Sequence, residues 1–280
     1  MKFSIITPCF NAENFIEDAI KSVLSQEGVD LEHIVVDGGS NDRTIEILKK
    51  YTHVKWISEK DRGQSDAMNK GFEMSTGDII GYLNADDYYM PDIFKIVLKY
   101  FNQGAYFVQG KIKVEREDKT YFLNDGKTKF DKIIRHWDPQ AFCVNPVGYF
   151  YRREVQESIG GFDIRNNYSM DLQFLLAVSS NYKMTRVEEN IILGVFRYYN
   201  NTKTAKNQSS KAMWNTSTFW YIDDYLKKMN SAERIAFVNE RERGYKMKSK
   251  EVDLEKMPLF LKIRKKIIEK VKNVWTEFRS

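Results

Sequence analysis

The chain has 280 residues, 42% of them apolar and 14% aromatic, with a formal net charge of +5. That supplies enough apolar surface for a real core in one large or two small domains, and no apolar run approaches the ~20 residues of a membrane span. The modest charge argues against a nucleic-acid binder, which is often basic throughout. The two cysteines, Cys9 and Cys143, have neither metal-ligand spacing nor the density of a disulfide scaffold, which fits a reducing compartment.

The first hundred residues alternate strand and helix patterns. Phe3–Thr7 is a strand ended by Pro8, and it starts so early that no signal peptide is expected. Ala12–Gln26 follows as a helix with Phe15, Ala19, Ile20, Val23 and Leu24 at helical spacing. His33–Asp37 is a β-branched strand broken by Gly38-Gly39, and Asp42–Tyr51 a helix. Val54–Ile57 is a third strand and Asp66–Ser75 a helix with Gly77 as its C-cap. Asp78–Leu83 is a fourth strand, and Pro91 opens a helix through Phe101. Such alternation implies right-handed crossovers and a mostly parallel α/β sheet flanked by helices. Ligands of these sheets collect at the carboxyl ends of the strands, where Thr7–Asn11, Asp37–Asp42 and Asn84–Asp87 fall.

Beyond residue 105 the pattern changes. Tyr106–Gln109, Lys111–Arg116, Thr120–Leu123 and Ile191–Phe196 read as strands, and Lys129–Arg135 and Asp171–Ser179 as helices. Residues 1–104 and 105–200 are expected to form two halves of one domain with a shared core. Lys203–Ser210 is polar, and residues 201–257 read as a helical extension.

Four constellations carry chemistry. Asn84-Ala85-Asp86-Asp87 ends an apolar strand, and its carboxylates suit a hard divalent cation on a diphosphate; turn and cap chemistry before Pro91 accounts for the same letters. Asp37-Gly38-Gly39-Ser40-Asn41-Asp42 combines a carboxylate with glycines that admit a ligand to the backbone, or is an ordinary capped βα turn. It is neither a dinucleotide fingerprint nor a P-loop. The polar run from Glu59 to Gly71, with Asp61 and Asp66, could bind phosphate or ribose, or be a solvated loop. Gly160-Gly161-Phe162-Asp163 precedes Asp171, which is either a general base or an acid favoured by the helix dipole.

Taken together, Ser4–Asn11, Val35–Thr44, Asp61–Gly71, Thr76–Tyr88 and Gly160–Asp171 follow the order of motifs in the inverting family 2 glycosyltransferases. The chain resembles that family over roughly residues 3–200, most of all bacterial enzymes that build polysaccharides or lipid-linked oligosaccharides. The resemblance implies a GT-A fold, a nucleotide-sugar donor (UDP-, GDP- or TDP-linked), a Mn²⁺ or Mg²⁺ ion, and a glycan or lipid-linked acceptor. It implies that Thr7, Pro8 and Phe10 line the base, that Asp37 holds base or ribose, and that Asp61, Asp66, Asn84 and Ala85 contact the donor. Asn84-Ala85-Asp86 matches the D-x-D motif with Asp86 as metal ligand, and Asp171 matches the catalytic base. Asn84 departs from the usual first Asp of that motif, and Met170 from the acid that often precedes the base. No histidine follows the base, the three being His33, His53 and His136, so the ion is expected to be held largely by donor phosphates.

Residues 258–280 place Leu259, Ile263, Ile267, Val271, Val274 and Phe278 on one face, with Lys262, Arg264, Lys265, Lys266, Lys270 and Lys272 around the rest. This basic amphipathic helix is expected on the inner face of the plasma membrane, or packed on its own domain or a partner. The aromatics of Trp214–Tyr225 are read as core. The rival readings are a nucleotidyltransferase, which would need a glycine-rich basic loop after the first strand, and a catalytically silent carbohydrate-binding or scaffold protein.

Overall fold

The computed structural model describes residues 1–128, 143, 145–166 and 170–199. The expected helix at 129–135 and everything proposed beyond residue 199, including the extension, the aromatic stretch and the amphipathic tail, lie outside the described residues.

In the first half, strands β1 (Lys2–Cys9), β2 (Asp30–Asp37), β3 (Val54–Ser58) and β4 (Ile79–Tyr82) alternate with helices α1 (Ile16–Leu24), α2 (Thr44–Leu48) and α3 (Gln64–Met74). Next come β5 (Tyr88–Tyr89), α4 (Ile93–Asn102), β6 (Phe107–Gln109), β7 (Lys111–Arg116) and β8 (Tyr121–Asn124). Last are β9 (Tyr149–Arg152), α5 (Arg153–Ile159), α6 (Met170–Asn181), β10 (Met184–Arg186) and β11 (Ile192–Tyr198). A seven-stranded sheet runs β10-β6-β9-β4-β1-β2-β3, and a four-stranded sheet runs β5-β11-β7-β8. The large sheet is parallel except for β9, which runs antiparallel between β4 and β6.

Local chemistry sets the elements. β2 carries Ile34-Val35-Val36 buried on both faces, as a central parallel strand requires. α1 buries Ile16, Ala19, Ile20 and Val23 along one stripe, with Glu17 and Asp18 in its first turn and Lys21 in its last, matching the helix dipole. Several boundaries differ from the sequence reading. β1 runs through Pro8 instead of ending there: Ile6 O faces β4, accepting from Leu83 N–H, and Cys9 O faces β2, accepting from Gly38 N–H. By alternation Pro8 faces the β4 side beyond the last β1–β4 pair, Ile6–Tyr82, so its missing N–H breaks no ladder bond. α2 begins at Thr44, whose N–H donates to the Asp42 carboxylate at 2.9 Å. α4 begins after Pro91, because Asp92 takes a left-handed φ of 58°. Gly77 is no C-cap; Ser75 closes α3. Gly77 is glycine because an added Cβ would lie 2.6 Å from Ser4 Oγ and 2.7 Å from Lys2 O.

Two core layers flank the large sheet, and both cross the halves. One joins Ile6, Met68, Ile80 and Tyr82 to Phe107, Tyr149, Tyr151, Phe174 and Leu175. The other joins Phe3, Ile5, Val23, Phe94 and Phe101 to Ile112, Val114, Phe150 and Val195. Each large buried side chain contributes about 1.5–3 kcal/mol. Among the described residues, no helix is long and apolar enough to cross a membrane.

Candidate active site

Because β1, β2 and β4 are parallel, the loops that follow them open at one end of the sheet. The first two are stitched together. Asn11 N–H donates to Ser40 Oγ at 2.7 Å, Asn41 N–H to Asn11 Oδ1 at 3.0 Å, and Ala12 N–H to Thr44 Oγ1 at 2.8 Å.

Asp37, at the end of β2, is fully buried. It accepts from Gly39 N–H at 3.1 Å, Ser40 N–H at 2.9 Å and the Ser58 hydroxyl at 2.6 Å, and also from the Ser40 hydroxyl. Burial and the charge of Asp37 push the Cys9 thiol well up, so it stays protonated and donates to Asp37 at 3.6 Å. Five donors occupy the acceptor sites of this carboxylate, so Asp37 fixes the shape of the βα turn. Asp61 lies over that turn: an added Cβ on Gly38 would meet Asp61 Oδ2 at 2.7 Å. Asp61 Oδ1 accepts from Gly63 N–H at 2.8 Å.

Thr7, expected to line the base, turns its hydroxyl into the core, 2.9 Å from His33 Nε2. Burial lowers His33 to about 3, so the imidazole is neutral. A ligand above β1 would meet the Thr7 backbone rather than its hydroxyl. Pro8 is buried, and Phe10 stands at the rim with 62% of its surface exposed.

Asp66, in the first turn of α3, is tied to its own loop. It accepts from Arg62 N–H at 3.1 Å and Arg62 Nη2 at 2.8 Å, with Lys70 Nζ at 3.7 Å. The Arg62 hydrogen bond holds its carboxyl below the usual range. α3 also clamps the second half of the chain: Asn69 Nδ2 donates to Phe162 O at 2.8 Å and Asn69 Oδ1 accepts from Phe162 N–H at 2.8 Å. Gly161 permits this approach, since a Cβ there would lie 2.6 Å from Asn69 Oδ1.

In the acidic loop after β4, Asn84 bridges two elements. Its Oδ1 accepts from Gln64 Nε2 at 2.9 Å, and its Nδ2 donates to Asp87 Oδ2 at 2.9 Å. Ala85 is buried against the α1–α2 side of the sheet. Asp87 is fully buried and also accepts from Asn145 Nδ2 at 2.8 Å and Arg197 N–H at 2.9 Å. Asp86 is half-buried and accepts from the Tyr199 hydroxyl at 3.0 Å. Burial raises both carboxyls, and the charge of Asp86 raises Asp87 further.

Asp171 is the second residue of α6, half-buried, with Oδ1 accepting from Leu172 N–H at 2.8 Å. Its charge is felt by two buried neighbours. Burial and Asp171 push the Cys143 thiol up to about 12, and burial and Asp171 also raise Tyr149. Tyr149 opens β9 one step beyond the Gly81–Phe150 pair, level with Tyr82 at the carboxyl end of β4. Asp171 thus lies within electrostatic reach of Tyr149, beside the carboxyl end of β4. Cys143 and Asn145 link the two regions: the Cys143 thiol donates to Asn145 O at 3.3 Å, and Asn145 reaches Asp87. Gln64, Asn145 and Tyr199 complete this neighbourhood; none stands out in the sequence, because each partner is 20 or more positions away.

The residues present fit a divalent cation at Asp86. Two adjacent carboxylates meet hydrogen-bond donors, and among the described residues neither forms a salt bridge; the Arg197 guanidinium gives its Nη2 to Asp18 at 2.7 Å, and its charge only partly offsets the burial of Asp86. Among the described residues no three His, Cys, Asp or Glu side chains group as a metal cage, so most of the coordination shell would come from a ligand.

Known proteins share this architecture. Staphylococcus aureus TarS 1–349, crystallised with UDP-GlcNAc, superposes with a TM-score of 0.71 at 18% identity, covering 91% of this chain and 77% of that one. The mannosyltransferase PcManGT of Pyrobaculum calidifontis, solved with GDP-Man and Mn²⁺, superposes with a TM-score of 0.57 at 16% identity, covering 98% of this chain and 83% of that one. At these identities the likeness carries the fold, a GT-A arrangement. In sequence, the chain is 26% identical to the Nostoc protein named uncharacterized glycosyltransferase alr2836, over 84% of this chain and 79% of the relative. The Glycosyl transferase family 2 model matches residues 4–160, more than half of the chain, and the chain belongs to that family.

Proposed function

We propose that this glycosyltransferase moves a sugar from a nucleoside-diphosphate donor to an acceptor hydroxyl in one inverting displacement that depends on Mn²⁺ or Mg²⁺. One observation carries the reading: Asp37 ends β2 and Asp86 follows β4 at the same end of the parallel strands, and Asp171, in the first turn of α6, lies within electrostatic reach of Tyr149 beside the end of β4. The donor complexes of TarS and PcManGT, with UDP-GlcNAc and with GDP-Man and Mn²⁺, support it.

In this reading the base and ribose lie against the β1 and β2 loops, where Pro8, Phe10 and the Thr7 backbone make the walls. Asp37 shapes the turn and Asp61 offers a direct acceptor. Asp66 and Asn84 hold the loops that flank the diphosphate, and Ala85 keeps the chain close to it. Asp86 would hold the cation, which would supply charge neutralisation for the departing diphosphate. Asp171 takes the proton of the acceptor hydroxyl as that oxygen bonds to the anomeric carbon. The bond to the diphosphate breaks on the opposite side, which inverts the configuration. The acceptor is a glycan or a lipid-linked glycan of cell-surface polysaccharide synthesis at the cytoplasmic face, in keeping with the motifs of the first 171 residues.

A panel of UDP-, GDP- and TDP-sugars with Mn²⁺ tests this. One nucleotide class should be released, slowly with water and faster with a glycan acceptor, and the product should carry the inverted anomer by NMR. Retention of configuration, or pyrophosphate release from a sugar phosphate and a nucleoside triphosphate, would contradict it.

A further inference from the structure

The last described residues form a strap across the acidic loop. β11 pairs with β5 through Val195 and Tyr88 and then runs past Asp87 and Asp86. Arg197 gives its N–H to Asp87 at 2.9 Å and its Nη2 to Asp18 of α1 at 2.7 Å. Its guanidinium lies 4.7 Å from the Tyr88 ring centre and 5.7 Å from that of Phe15. Tyr199 stacks on Phe15, with ring centroids 5.1 Å apart and planes 27° apart. Its hydroxyl reaches Asp86 Oδ2 at 3.0 Å. A phenol hydroxyl facing a carboxylate oxygen donates to it.

We infer that Tyr199 is a positioning residue for Asp86: its hydroxyl engages Oδ2, so that Asp86 offers a divalent cation its other oxygen in a fixed direction. The inference rests on the reading of Asp86 as the cation's ligand. Two effects oppose each other. Donation to Oδ2 draws charge from the carboxylate and weakens its pull on a cation. It also freezes the carboxylate in one orientation, so a cation pays less to bind. Outer-shell partners of metal ligands, when removed, typically cost about 10–100-fold in metal affinity, so orientation wins. Phe15 makes this geometry stiff, because the stacked ring cannot turn without losing the contact.

The test uses the full chain and three forms: wild type, Tyr199→Phe and Asp86→Ala. Tyr199→Phe keeps the ring and its stacking and removes only the hydroxyl. Mn²⁺ is titrated with saturating UDP, and separately GDP, and free Mn²⁺ is followed by its EPR signal; nucleotide affinity is measured in parallel in EDTA. Tyr199→Phe should weaken Mn²⁺ binding about tenfold, with unchanged nucleotide affinity in EDTA and a cooperative unfolding transition like that of wild type. Asp86→Ala should bind Mn²⁺ more weakly still. Should Asp86→Ala lose Mn²⁺ while Tyr199→Phe binds it as tightly as wild type, the positioning role falls and the ligand assignment stands. Tighter binding by Tyr199→Phe would overturn the role as well, showing that the hydroxyl competes with the cation. Equal Mn²⁺ binding by wild type and Asp86→Ala would overturn the ligand assignment and the inference with it.

Discussion

Replacing Asp171 by Asn should lower kcat for sugar transfer by about 10²–10⁴-fold, the usual worth of a general base, and leave donor binding intact. Asn is nearly isosteric with Asp and keeps an amide oxygen for the Leu172 N–H that Asp171 accepts at 2.8 Å. The first turn of α6 therefore survives, and what disappears is the capacity to take a proton. The half-buried position of Asp171 leaves it reachable by an acceptor. Donor binding is read as the rise in unfolding midpoint with Mn²⁺ and nucleotide, which should match wild type because the donor loops lie on β1, β2 and β4. A variant that transfers sugar within a few-fold of the wild-type rate would assign the base elsewhere.

Asp86→Ala should cut metal-dependent transfer by about 10²-fold or more. Charge stabilisation at a leaving diphosphate is worth several kcal/mol, and ~1.4 kcal/mol is a tenfold change in rate. The fold should tolerate the change, since fully buried Asp87 retains its bonds to Asn84, Asn145 and Arg197. EDTA should reduce wild-type turnover to a similar level and have little further effect on the variant. Undiminished wild-type turnover in chelator would remove the metal from the reaction.

The fold was legible where one physical signal dominated. β7 at Lys111–Arg116 agrees with its alternating pattern, and the β-branched core of β2 and the helical stripe of α1 mark themselves. β9 and α5 left no such signal. Tyr149, Phe150 and Tyr151 are buried on both faces, without alternation, and Arg153 starts a helix with no loop after the strand. The site divides similarly. The acids at strand and helix ends are visible because parallel topology brings those ends together. What each acid does with its oxygens is not visible. The five donors around Asp37 and the phenol on Asp86 come from residues whose proximity only the folded chain creates. Alternation puts Thr7 on the sheet face of Ile5 and Cys9, but both faces of β1 are buried, so alternation alone does not separate core from site there.

The central claim is that Asp37, Asp86 and Asp171 serve one donor–acceptor cleft. A crystal structure with Mn²⁺ and the nucleotide sugar selected from the panel tests it most directly. The account predicts the base over the β1–β2 loops beside Asp37 and Asp61, Asp86 in the coordination sphere of the ion, and Asp171 facing the anomeric carbon opposite the diphosphate. A donor bound away from the β4 loop, or Asp171 on the diphosphate side of the sugar, would contradict it.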